Sequence, residues 1–290
     1  MGYKKRFGDR KEGRRIRTLE PFNAIIPFVM KVKSDASNFF SDSVEITEAE
    51  KYLRQKRING YPGMGLLHLF CAAYIRVASQ YPGLNRFVSG QRVFARHDVE
   101  FFMTVKKELK ANAPETAIKV IFDQRDTIDD VYRKLNEEIE KARTEDTTGA
   151  DDVSKLFMKL PRILLKFAIS LLTFLDYFGK MPKAILKISP FHGSVAISDI
   201  GSVGLPVIYH HLYNFGNMPL FISFGAKRKV YELNADGETV LRKYVDFTLV
   251  MDERICDGFY FSQGFRLFKS LLRNPHLLDT PPETVVEDIE

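Results

Sequence analysis

Apolar positions recur along this chain with two periods, and the switches between them mark out its elements. In the first half, residues 25–33 and 43–46 read as strands flanking the polar turn Ser34-Asp35-Ala36-Ser37. Thr47 opens a helix running to about Arg57, and Glu50, three residues on, makes a capping box. Over 65–80, Leu66, Leu69, Ala73 and Val77 return on one helical face, and the breaker Tyr81-Pro82-Gly83 stops the helix. Residues 101–109 and 116–122 alternate as half-buried strands joined by a polar loop. Asp126 caps a long helix to about Arg143, apolar at Ile128, Val131, Leu135 and Ile139, with a polar linker at 144–152.

In the second half, strands are predicted at 194–198, 207–211 and 220–224. A hairpin then pairs 230–233 with 240–251 across Asn234-Ala235-Asp236-Gly237, where Asp-Gly favours a tight turn. A last helix spans 258–273 and ends before Asn274-Pro275. There is no internal repeat and no low-complexity tract. Interleaved helices and strands with antiparallel hairpins predict an α/β protein, a mixed sheet covered by helices.

The length of 290 residues allows one large domain or two small ones, and the composition is ordinary for a chain that buries a core. The net charge of +6 changes the picture only once it is located. Residues 1–17 hold eight basic side chains (Lys4, Lys5, Arg6, Arg10, Lys11, Arg14, Arg15, Arg17) and two acids, which leaves 35 charges of each sign elsewhere. The body is neutral and the basicity is an arm, read as a solvated extension able to steer anions. Nucleic-acid binding would rest on that charge alone and is not expected. Cys71 and Cys256 give neither a disulfide framework nor metal spacing, which fits a reducing compartment. No apolar stretch follows the charged start, and the longest apolar run, 163–175, is interrupted by Lys166 and falls short of the ~20 residues that span a bilayer. A metal-free cytoplasmic protein is expected.

The seven residues Asp252-Glu253-Arg254-Ile255-Cys256-Asp257-Gly258 carry the most chemistry. They resemble the Asp-His-Arg-x-x-Asp-Gly signature of the dihydrolipoamide acyltransferases of 2-oxo acid dehydrogenase complexes. Chloramphenicol acetyltransferase has a related His-x-x-x-Asp-Gly. Tyr81-Pro82-Gly83-Leu84-Asn85, Ala142-Arg143, Ala196-Ile197-Ser198-Asp199-Ile200-Gly201 and Leu271-Leu272-Arg273-Asn274-Pro275-His276-Leu277-Leu278 are similar to further landmarks of that family, in the same order, over about residues 45–280. The resemblance implies a two-layer α/β sandwich of the chloramphenicol acetyltransferase type. It also implies a homotrimer, with coenzyme A or acyl-CoA as substrate in a channel between subunits. The base of one subunit would face a hydroxyl of the next. Ser198 matches that hydroxyl, which stabilises a tetrahedral oxyanion, as a preorganised donor does best in a dry site. Asp257 matches an acid that holds an arginine and orients the base's loop, and Gly258 opens the following helix.

Three departures qualify the resemblance. No lipoyl-type or subunit-binding domain precedes the catalytic region, so a free-standing protein without a covalent lipoyl group is expected. The boundaries read as a basic arm at 1–20, an acyltransferase-like domain at 21–280 and an acidic tail at 281–290. The connection between Arg143 and Ala196 is longer than the family's, and it holds an apolar, basic inserted segment at 151–190. Third, Glu253 stands where the family has its histidine base. Reference pKa values of ~4.3 for glutamate and ~6.5 for histidine make a glutamate the weaker base by about 3 kcal/mol, on the order of a hundredfold in rate, unless burial recovers it.

Other bases are His210 and His211, which on a strand would point to opposite faces, so at most one faces a shared pocket. His192 is a weaker candidate, and His68 reads as structural. Cys256 lacks a histidine within motif spacing and is not expected to be a nucleophile. In the insertion, Lys155, Lys159, Arg162 and Lys166 form a basic stripe opposite Leu156, Leu160, Ile163, Phe167, Leu171 and Phe174, with Pro161 splitting the helix. Packing into the core, a lid over the channel, and a membrane- or partner-facing surface all remain open for it. The expected function is that of a coenzyme A-dependent acyltransferase-type protein with altered or lost catalysis. The alternative is a non-catalytic trimeric acyl-CoA-binding sensor or scaffold.

Overall fold

A computed structural model describes residues 5–106, 115–144 and 149–290. Lys4 of the arm, residues 107–109 of the expected strand, its polar loop to 114, and 145–148 of the linker lie outside the described residues. Along the chain run β1 (Gly13–Arg15), α1 (Pro21–Val29), β2 (Ser37–Glu45), α2 (Thr47–Ile58), α3 (Leu66–Gln80), β3 (Arg86–Ser89), β4 (Arg92–Arg96) and β5 (Val99–Lys106). There follow β6 (Glu115–Phe122), α4 (Ile128–Thr144), α5 (Gly149–Met158), α6 (Arg162–Tyr177), α7 (Lys183–Ile188), β7 (Val195–Asp199), β8 (Leu220–Leu233), β9 (Thr239–Asp252) and α8 (Gly258–Arg273).

Six strands make one mixed sheet in the order β2-β9-β8-β7-β5-β6, in which β5, β7 and β8 run parallel and the other pairs antiparallel. Side chains alternate across it. Val195, Ile197, Ile222, Phe224, Phe247 and Leu249 point to the face that packs under α2, α3, α4 and α8. Phe70 of α3 is the keystone: it is fully buried, stacked on Phe224, with Phe247 and Phe268 edge-on. Truncating it to alanine is expected to cost about 3–5 kcal/mol. The opposite face carries only a small cluster around Ala196, Phe221 and Val250. The two-layer α/β sandwich expected from the resemblance is what forms.

Several local expectations are corrected. Residues 25–33 are not a strand: Pro21 sits in the first turn of α1, where its missing N–H costs nothing and its fixed φ favours the helix. Residues 207–211 form no strand either, because β7 and β8 pair directly and leave no slot between them. That segment instead crosses the sheet's open face, pinned where Thr248 Oγ1 donates to the Ile208 carbonyl at 2.7 Å. Residues 220–224 and 230–233 belong to one long strand, β8, with a bulge between Phe224 and Lys227. The Thr47–Glu50 capping box does not form, since Glu50 pairs with Lys227 and Lys243 on the sheet. At α4 the reciprocal cap belongs to Thr127 and Asp130 rather than to Asp126.

The basic arm is no solvated extension. β1 pairs antiparallel with β4, Ile16 is buried, and Arg14 donates to the carbonyls of Asp288 and Ile289. The acidic tail is equally tied down, with the Asp288 carboxylate gripped by Arg86 in a pair almost without solvent. Arm and tail close on each other and on the small sheet β1-β4-β3. Of the insertion, α6 does not enter the core, since none of its residues is buried, whereas Met181 and Leu186 farther along are buried. Among the described residues, no helix is long and apolar enough to cross a membrane.

Candidate functional site

β9 ends in Asp252, which pairs with Ser37 of β2, and the chain then turns tightly, the Ile255 N–H donating to the Asp252 carbonyl at 3.2 Å. The turn brings Arg254 back onto Asp252 as a fork, Nε to Oδ1 at 2.7 Å and Nη2 to Oδ2 at 2.6 Å. Both side chains are nearly sealed from water, at 4% and 2% exposure. The remaining Nη1 donates to the Met30 carbonyl at 2.9 Å, so the guanidinium ties the end of β9 to the end of α1. A buried charge is tolerable only when its lone pairs and protons are this fully used. Burial pushes the nearby Lys33 ammonium down to about 8, with Arg254 pushing the same way and Asp252 partly opposing; its Nζ donates to the Gly216 carbonyl.

That frame holds Glu253 at the mouth of a cleft. Its N–H donates to the Ala36 carbonyl at 2.8 Å, and its Oε2 accepts from Asn38 Nδ2 at 2.8 Å. The cleft, of about 310 Å³, is walled on one side by Phe22, Ile26 and Met30 of the α1 segment and on the other by Glu253, Cys256 and Tyr260. Burial, above all, pushes the Cys256 thiol up to about 12, so it stays protonated at neutral pH and is a poor nucleophile.

Asp257 works as architecture. Its Oδ1 accepts from the Tyr260 N–H at 2.9 Å and caps α8, a contact worth about 1 kcal/mol, while the motif's arginine is held by Asp252. Arg86 couples the tail to the same loop, donating to the Ile255 carbonyl at 3.2 Å as well as to Asp288. Tyr260 in turn accepts from the Gly83 N–H at 2.9 Å. Any Cβ at Gly83 would come within 2.7 Å of the Tyr260 ring, so the Pro-Gly of the breaker is needed for close approach to the site.

Ser198 lies elsewhere. It shares the sheet's open face with Ala196, and direct pairings line it up with Ser223, Thr248 and Ser41 in a row of hydroxyls across β7, β8, β9 and β2. Two strand spacings sideways and five residues along β9 put Ser198 and Glu253 on the order of 20 Å apart within one chain. His210 is stacked flat on Phe221 at 4.0 Å, its Nε2 sealed without a partner, and burial lowers its pKa; His211 is exposed on the other side. His192 is buried against Ser189 and Asp176, and His68 caps α3 by accepting from the Gly65 N–H, both structural positions. The structure thus gathers Glu253, Cys256 and Asp257 at one cleft and leaves Ser198, His210 and His211 away from it. Asn38, Lys33, Arg86 and Tyr260 belong to the site's frame and carry no motif signal in the sequence.

No protein-family model matches the chain, and no curated protein sequence matches it. Solved structures do. The probable dihydrolipoamide acetyltransferase of Listeria monocytogenes aligns at 15% identity over 90% of this chain and 94% of that one, with a TM-score of 0.57. The dihydrolipoamide acetyltransferase of Azotobacter vinelandii aligns at 15% identity over 94% and 95%, with a TM-score of 0.58. Chloramphenicol acetyltransferase aligns at 12% identity over 88% and 96%, with a TM-score of 0.53. At nearly full coverage of both partners, this chain has the fold of the chloramphenicol acetyltransferase-like acyltransferases.

Proposed function

We propose that this chain is a coenzyme A-dependent acyltransferase-type protein, working as a homotrimer with Glu253 in the role that resembling enzymes give to histidine. The observation that carries this reading is the placement of Glu253. Its carboxylate stands at a cleft lined by apolar side chains of α1 and by Arg86, fixed by Asn38 and by the backbone of Ala36, beside a buried Asp252–Arg254 pair.

In the proposed reaction the acceptor X–H gives its proton to Glu253 as X attacks the thioester carbonyl. The carbon–sulfur bond then breaks, coenzyme A leaves as thiolate and takes the same proton back, and the products are acyl-X and the free thiol. Ser198 of a neighbouring subunit donates to the tetrahedral oxyanion; its distance from Glu253 within one chain supports a site completed between subunits. A carboxylate repels a thiolate but stabilises the positive charge that develops on a neutral amine's nitrogen as it attacks, which puts amines ahead of thiols as acceptors.

A second reading, a trimeric acyl-CoA-binding sensor or scaffold without catalysis, is favoured by the same carboxylate, a weaker base than imidazole. Thiol release from acetyl-CoA across a panel of amines and thiols, with Glu253→Gln and Glu253→His alongside, decides. The enzyme reading expects wild-type turnover that Glu253→Gln lowers by at least about a hundredfold. A silent wild type that gains transfer as Glu253→His overturns it in favour of the sensor.

A further inference from the structure

Helix α6 presents Leu164, Phe167, Leu171 and Phe174, continued by its C-cap residue Phe178, at spacings of three, four, three and four, one straight seam on its surface. All five are exposed, from 45% at Leu171 to 67% at Phe167, and Ile163 beside them reaches 81%. The helix is not loose. Its half-buried face turns toward the body, and its C-terminal end is locked where Arg10 donates to the Tyr177 carbonyl at 2.7 Å and the Tyr177 hydroxyl donates to Gln91 at 2.7 Å. A rigid helix therefore holds a contiguous phenylalanine- and leucine-rich strip in water, far more than scattered surface apolar residues account for.

Charge identifies the occupant. Residues 149–190 carry seven Lys/Arg and three Asp/Glu, a net +4 within a body that is neutral as a whole. Two of the acids are engaged, Asp151 by the Thr116 hydroxyl and Asp176 beside His192, whereas Lys155, Lys159, Arg162 and Lys166 all reach solvent. A two-fold pairing of this face with itself would set +4 against +4. An anionic phospholipid surface takes both features, apolar side chains entering the acyl boundary and lysines reaching the headgroups. At 16 residues α6 is too short to span, so it lies in the interface plane. We infer that α5 and α6 dock this protein reversibly on anionic phospholipid membranes.

The test is flotation of the full chain with phosphatidylcholine–phosphatidylglycerol vesicles and with pure phosphatidylcholine vesicles, at low and high salt. Phe167→Glu/Phe174→Glu and Lys159→Glu/Lys166→Glu variants are run in parallel, their melting temperatures and particle sizes confirming an intact fold. The expected result is flotation on anionic vesicles only, weakened by salt, abolished by the phenylalanine changes, and reduced at least about tenfold by the lysine reversals. Absence of flotation at low salt overturns the inference. So does equal flotation of the phenylalanine variant. If wild type does not float but forms a larger particle that the phenylalanine variant loses, the strip packs against another copy of the chain.

Discussion

Asn38 and Glu253, 215 residues apart, are joined by a single hydrogen bond from the Asn38 amide to Glu253 Oε2 at 2.8 Å. Each sits beside the β2–β9 pairing, Asn38 opposite Met251 and Glu253 just past the last paired residue. A loop carboxylate is thereby given the orientation of a strand residue, and a base must be oriented before its strength matters. Asn38→Ala is expected to lower kcat for acyl transfer by about tenfold with little change in KM and about 1 kcal/mol in stability. Asn38→Asp, which sets a second carboxylate against the first, is expected to do worse. Steady-state rates of thiol release check both.

The Asp252–Arg254 pair supplies the frame beneath. Arg254→Ala strips the buried carboxylate of both guanidinium contacts and leaves it the backbone N–H of residue 254 and the Lys33 charge, at an expected cost of about 3 kcal/mol in chemical denaturation. Replacing both partners at once, as Asp252→Leu with Arg254→Met, is expected to cost clearly less than Arg254→Ala alone. That ordering separates an uncompensated charge from simple loss of packing.

Lys33 makes stability depend on alkaline pH. Its ammonium titrates near 8 in the fold, against about 10.5 in an unfolded chain, so burying the charge costs stability in full below pH 8. Between pH 8 and 10.5 the unfolded chain binds more protons, and the cost, on the order of 3 kcal/mol, fades as pH rises. Lys33→Met is expected to raise the melting temperature at pH 7 and to lose most of that advantage by pH 10. Paired melts across pH give the difference with other groups cancelled.

The tail is expected to behave as part of the site. Asp288→Ala strips the buried Arg86 of its carboxylate and leaves it only the Ile255 carbonyl. A loss of about 3 kcal/mol and faster proteolysis of the last residues are expected, together with a looser motif loop seen as weakened acetyl-CoA binding. Limited proteolysis and denaturation of the variant check it.

What was legible in the sequence follows from range. α3 and α8 are long, with apolar residues at helical spacing, and local pattern decides them; α8 begins and ends where the pattern does. The Asp-Glu-Arg motif was legible because its residues are contiguous. The arm misled, since β1 is only three residues, mostly charged, and its identity as a strand comes from pairing with β4 about 80 residues on. Residues 207–211 read as a strand, yet β7 already pairs with β8, and Ile208 and Tyr209 stay exposed. Asn38 carries no signal, because its partner is visible only once β2 and β9 are side by side. The seam of α6 stayed open between core, lid and surface because period alone cannot say whether anything covers a face.

The most direct test of the account is a calorimetric titration of acetyl-CoA into the purified protein, with Tyr260→Ala and a cleft-filling Cys256→Trp as controls. Micromolar binding, weakened in both variants, is the predicted result. No heat at millimolar acetyl-CoA would contradict it and would leave the fold without the substrate that the proposed chemistry requires.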